Sequence, residues 1–388
     1  MRKNNIGKVG NTMATFKVIT GFDGACPFSD EGVSLLNGGT FEVRPMWRPS
    51  PGISEENPEC GGSRFSVKVE NTTSETHIFE CFINWEDKQQ KRLRNHDCVH
   101  ILMPGASEWK MYPAELEPPG ARLKIKLPSG ISHIDISPYY SYGMSIEHMK
   151  KKEGIHGAKY SSIGMSAEGR EIPLLLIDDP SGWKNKTDMI FIARNHAYET
   201  AGSFCAEGMI DFLLSDDELA RYFRASFRFH FLPMTNPDGV YNGMSRLTAP
   251  RGADLNRTLK QDDDAWRALK NYLDKVKPEL LLNIHNWMSK NQDGLLANTQ
   301  HFAEKFKSLM PDQHQDGKFW NVEWTELFLE KARAETCKEE WESWKDYVRK
   351  EFGAIALTLE FPWFGRTVSS MRETGRTSLV SFLLASKN

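Results

Sequence analysis

Paired cysteines are missing from this sequence. Its six cysteines, Cys26, Cys60, Cys81, Cys98, Cys205 and Cys337, are scattered over 388 residues with no recurring spacing. That argues for buried thiols in a reducing compartment, and so for the cytoplasm, over a disulfide framework. Charge of one sign is not in excess either. With 49 Lys and Arg against 52 Asp and Glu, the formal net charge is -3. No global field is available to gather nucleic acid or an anionic membrane surface, and neither is expected as a partner. No run reaches the roughly 18 uninterrupted apolar residues that a membrane helix requires. Met1 to Gly10 is basic and polar with no signal-length apolar stretch behind it, so residues 1–15 are expected to be a disordered leader. Repeats and low-complexity tracts are absent too.

What remains is an ordinary globular composition, 39% hydrophobic and 26% charged, in a chain long enough for two domains. From Phe16 to about Ser137 the apolar residues recur with period two, as in Phe65-Ser66-Val67-Lys68-Val69 and Leu123-Lys124-Ile125-Lys126-Leu127, and Ile78 to Trp85 is a longer apolar run. Gly, Pro, Asn or Ser bounds each stretch, which predicts an all-β sandwich over residues 16–138. The Gly- and Pro-rich piece Arg48 to Ser63 reads as a long loop. His96, Asp97, Cys98 and His100 form a tempting cluster, but on a strand they would alternate faces, and a solvated turn explains them more simply.

After the boundary near Pro138 to Tyr142 the texture changes. A short helix is expected over Ser145–Lys152 with Ser145 as its N-cap, then strands at Ile172–Ile177, Met189–Ile192, Phe227–Leu232, Leu280–Ile284 and Ala354–Leu359. Helices are expected after His196, over Asp262–Val276 and over Thr374–Ser386, with a polar loop from Asn298 to Gly317. Alternating strands and helices predict an α/β domain over 139–388, with a mixed, mainly parallel sheet flanked by helices.

The stretch that organises this half is Asn195-His196-Ala197-Tyr198-Glu199-Thr200, between a buried strand and an amphipathic helix. An imidazole and a carboxylate three residues apart on such a turn offer two of the three protein ligands of a catalytic zinc. In open α/β sheets the ligand crevice lies beyond the carboxyl ends of the strands. Asn236-Pro237-Asp238-Gly239, His285 and Glu360 also follow strands. These groups are expected to converge on one site. Two histidines and a carboxylate would leave one zinc position open for water. Taken singly, each has a plainer reading: a satisfied structural histidine, a first-turn helix carboxylate, or a strand-end surface charge.

In this half the sequence resembles the zinc metallocarboxypeptidases. The resemblance covers nearly all of residues 140–388 and rests on motifs in order: Ser166-Ala167-Glu168-Gly169-Arg170-Glu171-Ile172-Pro173, His196-x-x-Glu199, Asn236-Pro237-Asp238-Gly239, Asp254-Leu255-Asn256-Arg257, His285, and Glu360 closing Ala356-Leu357-Thr358-Leu359-Glu360. It implies an eight-stranded-type carboxypeptidase sheet and one Zn2+ held by His196, Glu199 and His285. It also implies Glu360 as general base, and Asn256 with Arg257 on the substrate's terminal carboxylate. The sandwich ahead of this half is similar to the cytosolic carboxypeptidase subfamily, and so is the stretch Asn236 to Arg257, with Arg246 after the loop Asn242-Gly243-Met244-Ser245, which implies that Arg246 polarises the scissile carbonyl. The activity implied is removal of C-terminal residues from peptides or protein tails.

Two departures from the family pattern stand out. Ala197 and Tyr198 occupy the positions between the paired ligands, where many digestive-type relatives carry an arginine. The family's mobile tyrosine, some twenty residues before the general base, has no counterpart in Ala334-Glu335-Thr336-Cys337-Lys338-Glu339-Glu340-Trp341. Tyr347 reads better as a helix-face aromatic beside Trp344. In the family the region just before Glu360 shapes the pocket for the released side chain. Here Lys338, Lys345, Arg349 and Lys350 are interspersed with Glu. One inward basic residue would favour an acidic C-terminal residue, and a solvated amphipathic helix explains the same charges. His230 reads as a strand histidine, and Asp238 and Asp254 as loop-holding residues. Two other functions remain open, a deacylase of small carboxylate-bearing amides and a non-catalytic binding protein on the same fold. The sandwich is expected to wall one side of the cleft.

Overall fold

Alternation builds the first half of the molecule. The computed structural model describes residues 15–45, 64–85, 98–258, 261–286, 294–297, 300–310, 342–361 and 367–387. The leader, the 48–63 loop, His96 with Asp97, and the 334–341 stretch fall outside these described residues or almost wholly so. Ten short strands come first: β1 (Phe16–Ile19), β2 (Val33–Leu35), β3 (Phe41–Val43), β4 (Ser66–Asn71), β5 (His77–Asn84), β6 (Cys98–Leu102), β7 (Lys110–Pro113), β8 (Glu115–Glu117), β9 (Gly120–Leu127) and β10 (Gly130–Asp135). They pair as two five-stranded sheets, in the orders β1-β4-β10-β6-β7 and β2-β3-β5-β9-β8. Along β9, Leu123, Ile125 and Leu127 are buried while Lys124 and Lys126 are exposed. The inward set joins Val67 and Val69 of β4, Phe79 of β5 and Ile134 of β10 in one apolar core. Each such side chain contributes roughly 1.5–3 kcal/mol by leaving water.

The second half continues with α1 (Tyr142–Lys150), β11 (Ala158–Met165), β12 (Glu171–Ile177), β13 (Thr187–Ala193), α2 (Ala201–Leu213), α3 (Glu218–Ser226), β14 (Phe227–Leu232) and α4 (Pro237–Tyr241). Then follow α5 (Asp264–Val276), β15 (Leu280–His285), β16 (Gly294–Ala297), α6 (Gln300–Leu309), α7 (Trp344–Phe352), β17 (Ile355–Glu360) and α8 (Val368–Ser386). The sheet order is β11-β12-β14-β13-β15-β17-β16. Strand β15 sends Leu280, Leu282 and Ile284 to the face covered by α2, α6 and α8, and Leu281 to the face covered by α5 and α7. Burial on both faces is why such strands read as unbroken apolar runs.

Several expectations need correction. Among the described residues the sheet has seven strands, not eight. Only its centre is parallel, β14-β13-β15-β17, while β11, β12 and β16 join antiparallel at the edges. Helix α1 begins three residues before Ser145. Its N-cap is Ser141, whose Oγ accepts from the Met144 amide at 3.1 Å, and Ser145 is buried within the helix. The polar run expected as a loop from Asn298 contains α6, whose Ala303 and Phe306 pack in the same core as Phe382 and Leu383 of α8. Helix α8 starts at Val368, capped by Thr367.

The two halves meet closely. The Gly24 amide donates to the Tyr241 carbonyl at 2.9 Å. Gly243 sits at φ 65 with its α-carbon against Ala25, so that a Cβ there would collide with the Ala25 carbonyl oxygen. Asp23 accepts from the amides of Tyr142 and Gly143 at the start of α1.

Candidate metal and peptide-cleavage site

The site grows from the end of β13. Arg194 follows the strand at φ 58, a left-handed conformation that a long side chain adopts only when its surroundings impose it. Its guanidinium folds back and donates from Nε and Nη2 to the Ala197 carbonyl, at 3.0 and 2.6 Å, and from Nη1 to the Tyr140 carbonyl at 3.2 Å. Burial, with the Arg64 charge nearby, pulls this guanidinium down to about 9. Asn195 fixes the other side of the turn, its Oδ1 accepting from Thr235 Oγ1 at 2.7 Å and its carbonyl from Asn236 Nδ2 at 3.2 Å. The turn ends at α2, where the Ala201 amide donates to Asn286 Oδ1 at 3.0 Å.

This clasp turns His196 and Glu199 the same way. His196 Nδ1 lies 2.7 Å from Glu199 Oε1, and His285 Nδ1 lies 2.8 Å from Glu199 Oε2. All three side chains are buried, and their candidate ligand atoms lie within 4.8 Å of one another. Burial alone would raise the Glu199 carboxyl, but the two imidazoles hold it down at about 2. Strand pairing supplies the rest. Parallel β15 and β17 set His285 directly opposite Glu360. Glu360 Oε2 is buried without a hydrogen-bond partner. Burial, and next the Glu199 charge, push its carboxyl well above the usual range, while Arg246 opposes the shift.

Asp254 joins the remaining groups. Its Oδ1 lies 3.2 Å from His196 Nε2 and accepts the Asn256 amide at 2.9 Å. Its Oδ2 accepts from Arg246 Nε and Nη2 at 3.1 and 2.9 Å. Arg257 Nη2 is 4.0 Å from the same oxygen. Burial would raise this carboxyl, but His196, then Arg246 and Arg257, hold it well below the ordinary value. Asn256 Oδ1 accepts from Asn283 Nδ2 at 3.4 Å, and the Trp266 indole holds the Arg257 carbonyl at 2.8 Å. All seven residues expected at the site therefore lie in one connected neighbourhood.

Sequence reasoning undervalued Asp254, which touches a candidate ligand and Arg246 besides shaping its loop. The signal was its position two residues before the Asn-Arg pair. Asp238 does hold a loop, accepting from Ser166 Oγ, the Glu168 amide and Arg170. His230 is a strand histidine bonded to Asp188 and Tyr272 at 2.9 and 2.8 Å. Tyr347 lies edge-on to Trp344, and its hydroxyl engages Lys270 and Asp274 of α5. Lys345 differs from the solvated reading of its helix. It is 2% exposed, with Nζ 2.9 Å from Asp346 Oδ1.

The donor set suits zinc. With Asp254 on Nε2, the favoured His196 tautomer leaves the Nδ1 lone pair directed at Glu199, where an ion would be held. Two imidazole nitrogens and a carboxylate are the protein ligands of a catalytic zinc with one open position.

Residues 147–321 match the family model described as zinc carboxypeptidase. Over 159 residues the chain is 42% identical to mouse cytosolic carboxypeptidase 6, a match covering 37% of this chain and 29% of that protein. Over 110 residues it is 41% identical to cytosolic carboxypeptidase 2 of Xenopus tropicalis, covering 27% of this chain and 11% of that protein. The chain thus matches less than a third of the length of these curated relatives. A metallo-carboxypeptidase from Burkholderia cenocepacia superposes over 96% of this chain and 99% of its own, with a TM-score of 0.76 at 18% identity. A metallo-carboxypeptidase from Pseudomonas aeruginosa superposes over 95% and 98%, with a TM-score of 0.74 at 16% identity. At such identities these two likenesses establish the carboxypeptidase-like fold, including the β-rich first half. Taken with the family model and the curated relatives, they lead to one conclusion: residues 147–321 are similar to the zinc carboxypeptidases, on a carboxypeptidase-like fold.

Proposed function

We propose that this protein is a zinc-dependent metallocarboxypeptidase that hydrolyses the last peptide bond of peptides or protein tails. The observation that carries the reading is the buried Glu360 carboxyl, without a hydrogen-bond partner on Oε2 and one strand pairing away from His285. In this reading His196, Glu199 and His285 hold one zinc ion. When bound, the ion supplies Lewis-acid polarisation and an acidified water.

Glu360 takes a proton from the attacking water as its oxygen bonds to the scissile carbonyl carbon. It then returns the proton to the leaving nitrogen as the carbon–nitrogen bond breaks. Arg246, held by Asp254, meets the negative charge that develops on the carbonyl oxygen, an effect worth about 3 kcal/mol per donor. Arg257 offers a planar fork to the terminal carboxylate, and Asn256 adds an amide. A free C-terminus is therefore required.

Lys345 extends the reading to the released side chain. The start of α7 is tied to the Asn256-Arg257 segment: Thr258 donates its amide to the Glu342 carbonyl at 2.9 Å, and the Trp344 indole donates to the Leu255 carbonyl. In this reading Lys345, next to Trp344 in the chain and paired with Asp346, favours an acidic C-terminal residue. The sandwich and α/β halves are read as domains spanning 16–138 and 139–388, with the sandwich walling one side of the cleft. The cytoplasm is the proposed location, supported by the buried side chains of Cys26, Cys81, Cys98 and Cys205, none of them in a disulfide, and by relatives named as cytosolic. The deacylase and binding-only readings have no comparable support. Paired peptides that differ only in a free or amidated C-terminus test the proposal. Zinc-dependent loss of the last residue from the free form alone is expected, and equal cleavage of both forms would count against it.

A further inference from the structure

Tyr198 stands between the two candidate ligands of the turn, yet its ring does not belong to the α/β core. It is 7% exposed and sits in the same contiguous apolar cluster as Phe65, Val67, Ile134 and Ile136 of the β-sandwich. Its ring is parallel to that of His196, with centroids 6.5 Å apart and an interplanar angle of 10°. Its amide donates to the Ser245 carbonyl at 2.8 Å, one residue before Arg246. Two residues on, Thr200 Oγ1 donates to Ser137 Oγ, at the end of the sandwich, at 3.1 Å.

We infer that Tyr198 is a positioning residue that keys the His196–Glu199 turn into the sandwich core, making the N-terminal half part of the metal site. This rests on the zinc-site reading above. Arg194 grips the Ala197 carbonyl and the Ser245 carbonyl holds the Tyr198 amide, and a side-chain anchor at Tyr198 adds to these in fixing the direction of Glu199. A flat ring in a close-packed core supplies one, because interiors packed to crystal density resist displacement. The same ring runs parallel to that of His196, 6.5 Å away between centroids. A shift of the sandwich against the α/β half would therefore move both ligands together. Residues one step removed from a metal are known to tune its hold by 10- to 100-fold when altered.

The test uses the full-length chain and reads zinc retention against a competing chelator, with circular dichroism verifying the fold. Tyr198→Ala is expected to release zinc on the order of 10-fold more readily than the wild type. Tyr198→Phe, which keeps the ring, is expected to stay within about 2-fold of it. Leu273→Ala, in the separate core beneath α5, serves as the stability control. It is expected to lower the melting temperature while retaining zinc. Tyr198→Ala retaining zinc like the wild type would overturn the inference, as would Leu273→Ala losing zinc equally at matched stability. Should Tyr198→Ala fail to fold, Tyr198→Leu keeps the apolar seat without the flat ring and is judged by the same criterion. A wild-type chain that binds no zinc would instead overturn the zinc-site reading itself.

Discussion

Asp254 Oδ1 stands 3.2 Å from Nε2 of His196. The carboxylate thereby fixes the ring and leaves Nδ1 facing Glu199. Its second oxygen holds Arg246, so one side chain orients a candidate ligand and a candidate oxyanion donor together. Asp254→Asn is expected to weaken zinc retention by about 10- to 100-fold and to lower kcat through Arg246. Zinc titration against a chelator checks the first effect. An unchanged affinity would mean that Asp254 only shapes its loop.

Glu360→Gln removes the proposed base while keeping shape. Turnover is expected to fall by at least about 10²- to 10⁴-fold with zinc still bound, as measured by initial rates and metal content.

The same variant carries a pH test in the metal-free chain. The folded Glu360 carboxyl titrates well above its usual range, so between the unfolded value, about 4.3, and the folded one the folded state binds the extra proton. Stability then falls as pH rises across that window. Metal-free Glu360→Gln should be more stable than the wild type near pH 8, with the difference vanishing below about pH 4. Parallel melting curves across pH would contradict this.

Arg257 is expected to act on the substrate's end. A charge-assisted hydrogen bond is worth about 1.5–3 kcal/mol, so Arg257→Ala should lower kcat/KM roughly 10- to 100-fold, mostly through KM. The loss should be seen with free C-termini. An effect confined to kcat would reassign Arg257.

Lys345 sets the expected preference. Peptides ending in Glu should be cut faster than those ending in Gln, and Lys345→Met should reduce that ratio roughly 10-fold. The ratio of kcat/KM values on paired peptides measures it. Equal rates for the wild type on both peptides would leave the buried Lys345 with a structural role at the start of α7.

The site was legible in the sequence wherever chemistry sat at the end of an apolar run. His196, His285 and Glu360 all sit at the ends of buried strands, and the structure's parallel β15–β17 register then sets two of them opposite each other. Asp254 was not legible as a partner of His196, because 58 residues separate them and no local pattern encodes that distance. Tyr198 was hidden for a similar reason. An aromatic on a turn says nothing about a core contributed by another sheet. A mixed sheet was expected, but which strands run antiparallel was not legible, because a continuous apolar run does not specify the direction of its neighbour. Ser141 and Ser145 are both able to cap a helix, and only the amide that Ser141 accepts distinguishes them. Lys345 reads as solvent-facing by composition, and its burial depends on tertiary packing.

The most direct measurement is mass spectrometry of a peptide mixture with varied C-termini, incubated with the zinc-loaded protein and with its Glu360→Ala variant. Stepwise loss of single C-terminal residues, led by acidic ones and given by the wild type alone, is the expected result. No loss from any peptide, or equal loss with both proteins, would contradict zinc carboxypeptidase chemistry at this site.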